Sequence, residues 1–241
     1  MAVAYDLDTQ ALQNVNVSSV TFSHTTSGTN RALVVFVVLI GVAQTVSSIT
    51  YALTNLTLIG VRQHSGGATA GTIEAWGLAN PATGANNVVV TLSANNSAWD
   101  ASAISFTGAH QTTASAFTGF QHAGNANATA TVSATVTTGT TGDMVVDCTE
   151  SQAGNGTTPG TGQTQRWQDN SGSTNTQGST KAGAASVTMT ENWVPNQDAN
   201  VLNIAALNVV QADTTGRTTK NTRAFPLGEF VGMARRMNIA A

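Results

Sequence analysis

Charge is what this sequence has least of. Asp, Glu, Lys and Arg make up 9% of its 241 residues, against roughly 25% in an ordinary globular chain, and only Lys181 and Lys220 are lysines. That scarcity disfavours nucleic-acid binding, which needs a basic face. Cysteine is nearly absent too. The single Cys148 excludes an intramolecular disulfide, and its place in Met144-Val145-Val146-Asp147-Cys148 reads as a small buried hydrophobe rather than a redox centre. The most apolar stretch, 32–42, is about half the length a helix needs to cross a bilayer. At the N-terminus, Met-Ala-Val-Ala-Tyr-Asp-Leu-Asp has no basic segment leading into an apolar core, so neither a membrane span nor a secretory signal is expected. Helical spacing of apolar residues is missing before residue 210, which disfavours helical and α/β folds.

What is present in place of charge is Ser, Thr, Asn, Gln, Ala and Gly, while the apolar share, 41%, is near normal. A surface of hydroxyls and amides is wettable yet neutral. It suits a protein crowded beside copies of itself, where like charges would repel at every contact. The few charges are unevenly placed: residues 1–210 hold four basic side chains (Arg31, Arg62, Arg166, Lys181) against ten acidic ones, and residues 211–241 hold five against two. A neutral-to-acidic body at 1–210 and a basic arm at 211–241 are expected.

Period-two alternation dominates the body. Val88, Val90 and Leu92 share one face of a strand, and Val132, Ala134 and Val136 oppose Thr131, Ser133 and Thr135 on another. Similar runs near 15–23, 46–53, 56–64, 72–79, 102–108, 143–150, 163–168 and 184–191 bring the total to about a dozen short strands divided by Gly, Asn, Ser and Pro. Two runs, 32–40 and 201–210, are apolar on both faces, so each must lie central in a sandwich or have its outer face covered by a loop or another subunit. Their pairing near the middle of a sheet would match a Greek-key or jelly-roll topology. The fold expected is an all-β antiparallel sandwich with a C-terminal extension. Residues 151–162 and 169–179, rich in Gly, Ser, Thr and Asn, read as exposed loops.

The arm differs in kind. Leu227, Phe230, Val231 and Ala234 follow Pro226 at helical spacing. So short an element is marginal alone in water, and its apolar side chains call for a partner. The expected contact residues are Arg217, Lys220, Arg223, Phe225, Leu227, Phe230, Met233, Arg235 and Arg236, the arginines pairing with carboxylates and the Phe and Met filling apolar pockets.

Motifs for chemistry are scarce. Gly-x-Ser-x-Gly is absent, and His24, His64, His110 and His122 have no metal-ligand spacing and read as surface or loop residues, so no metal or cofactor is expected. His110 alone, in a loop after the 102–108 strand, is a candidate for a subunit contact. Gly154-Asn-Gly-Thr-Thr-Pro159-Gly lacks the third glycine and following helix of a dinucleotide site. Glu74 with Trp76, and Asp147 with Glu150, leave a sugar site conceivable. Trp99, Trp167 and Trp193, in polar surroundings, leave room for sugar stacking.

The run Thr26-Ser-Gly-Thr-Asn-Arg-Ala-Leu-Val-Val-Phe-Val-Val, followed by Val46-Ser-Ser-Ile-Thr-Tyr, Leu56-Thr-Leu-Ile-Gly60, Ile73-Glu-Ala-Trp-Gly-Leu-Ala-Asn-Pro-Ala-Thr-Gly84, Val88-Val-Val-Thr-Leu-Ser and Ala103-Ile-Ser-Phe-Thr-Gly108, resembles a β-sandwich domain of tailed-bacteriophage virion proteins. The resemblance covers about residues 15 to 210, and the Tyr51 to Leu56 connection departs from it in lacking paired glycines. It carries no catalytic motif. It implies a non-enzymatic structural role in a virion as a capsid decoration, head-fibre or tail-associated protein. The partners expected are a major capsid, neck or tail protein and further copies of the chain; an adhesin or carbohydrate-binding module is the alternative.

Overall fold

A computed structural model describes residues 1–13, 16–40, 44–63, 71–96, 98–125, 131–137, 139–151, 157–170, 175–193 and 202–213. The arm residues Arg217 to Arg236 lie outside these, as do His64 and the loop segments 152–156 and 171–174.

The fold is all-β. In chain order the strands are β1 (Ala4–Gln13), β2 (Val17–Thr26), β3 (Ala32–Ile40), β4 (Val46–Tyr51), β5 (Thr54–Asn55), β6 (Thr57–Gln63), β7 (Gly71–Ala79), β8 (Gly84–Asn96) and β9 (Trp99–Thr107). One short helix, α1 (Thr113–Ala116), precedes β10 (Phe117–Asn125), β11 (Thr131–Val136), β12 (Met144–Ser151), β13 (Thr157–Pro159), β14 (Thr164–Asp169), β15 (Asn175–Ala182), β16 (Val187–Trp193) and β17 (Leu202–Val209). The strands form four antiparallel sheets, ordered β1-β9-β3-β7-β6, β2-β8-β4-β5, β10-β17-β12-β15-β14 and β11-β16-β13.

These orders contain an internal repeat. If the strands from β10 onward are counted afresh, the third sheet reproduces the first strand for strand, and the fourth reproduces the second, with β13 standing where β4 and β5 stand. Each repeat is a jelly roll: a long hairpin wound so that successive strands alternate between two facing sheets. Register confirms the match. β6 slips one residue between Leu58 and Gly60, the latter opposite Ala75, and β14 slips between Gln165 and Trp167, the latter opposite Gly178. Through these bulges Phe36, opposite Ala75, corresponds to Cys148, opposite Gly178.

The repeats pack through their first sheets, giving four layers. Along β3, Val34, Phe36 and Val38 face the second repeat, where Val146, Cys148, Ala205, Leu207 and Val209 meet them. The alternate residues Leu33, Val35, Val37 and Leu39 face β8 and β4 and pack with Ile49, Tyr51, Val88 and Val90. A third, smaller core joins Val145, Ile204 and Ala206 to Val132, Val136 and Met189. Two close approaches depend on glycine: the indole of Trp167 lies on Gly178, and the Phe120 ring lies on Gly60, where a Cβ would collide with either ring.

Three expectations are corrected. β3 and β17 do not pair: β3 lies between β7 and β9, and β17 between β10 and β12, in the two sheets that meet at the central interface. Their doubly apolar faces are covered by the chain's own outer sheets, because the molecule has four layers rather than two. Nor is 169–179 an exposed loop throughout. Asn175, Thr176 and Gln177 are buried in β15, and Thr157 is buried in β13. Polar residues sit there because partners satisfy them, as with Gln177 Nε2 donating to Glu191 Oε2 at 2.7 Å.

Candidate interaction surface

The outward faces of the outer sheets are uncharged ladders made mostly of small polar residues. In the first repeat, Ser19 and Ser48 flank Thr91, and Thr21 and Thr50 flank Val89. In the second, Ser133 lies beside Thr190 with hydroxyls 2.9 Å apart, and Thr135 beside Thr188 at 3.0 Å. Strand alternation sends the apolar neighbours Val132, Ala134 and Val136 inward. Neither ladder contains a charged residue.

One hairpin interrupts this quiet surface. Tyr51 pairs with Thr54, leaving Ala52 and Leu53 as a two-residue loop, and both have positive φ, 49° and 65°. That is the signature of a type I′ turn, which favours Asn-Gly. The hairpin thus forms without the glycines that the resemblance led one to expect. It is held from below: the Tyr51 hydroxyl donates to the Gly84 carbonyl at 2.9 Å, and Ala52 N donates to the Asn87 carbonyl at 3.2 Å. Leu53 at the tip is 94% exposed. No periodicity in the sequence marks that exposure.

The base of the arm is fixed. Val210 N donates to the Ala116 carbonyl, Gln211 N to Asp143 Oδ1 at 2.8 Å, and Ala212 N to the Gly108 carbonyl at 2.7 Å. His110 sits at this junction between the repeats, its N–H donating to the Val210 carbonyl. Whatever residues 214–241 contact, they start from a rigid point beside the inter-repeat connection.

The residues singled out for sugar chemistry are mostly interior. Trp99 and Trp167 are buried, and Trp167 packs at a tilt against Phe36 with ring centroids 6.1 Å apart; no sugar can reach either. The side chain of Trp193 lies outside the described positions. Glu74 and Trp76 do share a face: the indole N–H donates to Glu74 Oε2 at 3.0 Å, while Val46 N donates to Oε1. Burial raises the Glu74 carboxyl above its usual range.

Asp147 and Glu150, three residues apart on β12, point to opposite faces. Asp147 accepts from Ser179 N at 2.7 Å and from Gln163 Nε2 at 3.3 Å; the same Nε2 reaches Glu191 Oε1 at 3.1 Å. Burial raises both of these carboxyls, and the charge of Asp147 raises Glu191 further. With both carboxyls buried, this Asp147–Gln163–Glu191 group ties β12, β15 and β16 together. Of the three only Asp147 stood out in the sequence, since Gln163 and Glu191 lie far from it along the chain.

Glu150 points into the interface between repeats and accepts from Asn203 Nδ2 at 2.7 Å. Burial pushes it up to about 7, opposed by the nearby Arg62 guanidinium. His24, expected at the surface, is buried on β2 against Thr9, and burial lowers it to about 4. Cys148 is buried as expected, its thiol raised first by burial and then by the acids around it. No cluster of metal-ligating side chains occurs among the described residues, and no helix there is long and apolar enough to cross a membrane.

The chain matches no protein family, curated protein or solved structure.

Proposed function

We propose that this protein is a non-enzymatic structural component of a tailed-bacteriophage particle, a decoration or cement protein whose body joins neighbouring subunits and whose C-terminal arm docks on a shell protein. The observation that carries this reading is the neutrality of both outward faces, where Ser, Thr and Asn stand in ladders free of charge. Such a face meets a crowded neighbour without bringing like charges together or desolvating ions. The jelly-roll form of each repeat adds support by analogy, being common in virus shells as well as in lectins. The fixed base at Gln211 and Ala212 gives the basic, apolar arm a firm point from which to reach a partner.

The test is incorporation. Particles assembled with the full chain should carry it, whereas a chain ending at Asp213 should fold with unchanged melting and be left in solution. Equal incorporation of the two would reject the arm; absence of the full chain from particles would reject the reading as a whole.

A further inference from the structure

The two repeats allow one chain to serve as its own control. In each, the last strand of the inner sheet is an open edge among the described residues: there β6 bonds only to β7, and β14 only to β15. Open edges invite pairing with other chains, and proteins blunt them with charge, proline or long polar side chains. The second repeat does so. Gln165 is exposed on β14 and Pro159 lies in the adjoining β13, while Arg166, at the bulge, is engaged over the Tyr5 ring with its Nε donating to Thr180.

At the place matching Gln165 the first repeat has Leu58, while Ile59, matching Arg166, packs against the central core. Leu58 is 43% exposed, Leu53 on the neighbouring hairpin is 94% exposed, and Thr54, Asn55 and Thr57 are exposed between them. From 46 to 61 the chain carries no charge. Arg62 does not guard the edge, since its guanidinium turns inward toward Glu150 and its Nε is buried. The Ala52–Leu53 turn holds two non-glycine residues in the sterically costly left-handed region, yet its product is an exposed leucine.

From this we infer that the β5–β6 edge of the first repeat is where a second copy of this chain docks, Leu53 and Leu58 of one copy covering those of the other about a two-fold axis. A second copy fits better than a charged partner because the edge offers unpaired backbone and apolar side chains and nothing for an ion to pair with. A self-complementary patch of this kind closes on itself as a dimer rather than propagating. The inference rests on the proposed reading of a body that joins neighbouring subunits, and names an edge at which copies meet.

The experiment is light scattering of the full chain against concentration, for the wild type and for Leu58→Lys, Leu53→Asp and Gln165→Lys. The wild type should reach twice the single-chain mass of 24.6 kDa. Leu58→Lys and Leu53→Asp should each weaken association at least about tenfold, while Gln165→Lys, on the guarded edge, leaves it unchanged. Leu53→Asp should also melt no lower than wild type, since Asp tolerates positive φ better than Leu. A wild type that stays single at every concentration overturns the inference; if such a protein still enters particles, the proposed function stands without it. Association that survives both leucine changes overturns the edge and leaves copies joined elsewhere.

Discussion

Val38 and Glu150 occupy the same position in the two repeats. Val38 pairs with Ile73 on one side and Asp100 on the other; Glu150 pairs with Thr176 and Asn203. The central interface therefore has an apolar residue at one place and a carboxyl at its counterpart. Repetition of the fold has not required repetition of the chemistry, because the carboxyl is supported by Asn203 and faces Arg62 from the first repeat.

That carboxyl gives stability a pH dependence of definite sign. Its value in the folded protein, about 7, lies above the ordinary 4.5, so the unfolded chain releases the proton first as pH rises. Stability is then lost between these values, by on the order of 3 kcal/mol for this group if the shift is taken at face value. Glu150→Gln should be more stable than wild type above pH 7 and lose that advantage near pH 4.5. Urea unfolding of both proteins across this range checks it, and the lowered His24, whose effect has the opposite sign, cancels in the difference. Parallel curves for the two proteins would show that Glu150 does not set the slope.

The Trp167 ring and Gly178 make a second test. Gly178→Ala should destabilise by about 1–3 kcal/mol, the usual penalty for overfilling a packed core, because a Cβ there would collide with the buried indole. A denaturant midpoint equal to that of wild type would mean the ring can move aside.

Cys148 permits a third. Its thiol is buried with its proton held firmly by the surroundings, so a maleimide should label it only through unfolding. Labelling in native buffer should be slow and should accelerate with denaturant in step with the unfolding transition. Rapid native labelling would place the thiol at an opening of the interface.

Strands whose apolar residues alternate or run together were legible in the sequence: β3, β8 and β11 are where Val34, Val90 and Val132 predict them. β15 was not, because Asn175, Thr176 and Gln177 look like loop residues unless their partners are known. Thr176, for example, donates to Asp100 Oδ2 at 3.1 Å across the repeat interface. β1 and β10 were missed for a related reason, as Gln10 and His122 interrupt any apolar period. The repeat itself left no trace to read, since equivalent positions hold Phe36 and Cys148, Gly60 and Trp167, or Val38 and Glu150. What is shared is the pattern of pairing, and pairing is not written in residue identity. Of the candidate surface, the neutral composition was visible in advance, but the strained tip at Leu53 was not, because nothing in Ala-Leu signals positive φ.

That tip supplies the last prediction. A type I′ turn with Asn at its first central position and Gly at its second has no steric penalty at either residue. Ala52→Asn combined with Leu53→Gly should therefore stabilise the folded chain by about 1–2 kcal/mol; the left-handed penalty summed over both residues is larger, but glycine also frees the unfolded chain. Because Tyr51 and Leu56 remain buried on either side, the register of β4 and β5 is unchanged and the gain is local. Differential scanning calorimetry of the double variant and wild type, at a concentration where both are single chains, measures it. An unchanged or lowered melting temperature would mean that Leu53 makes a stabilising contact within its own chain.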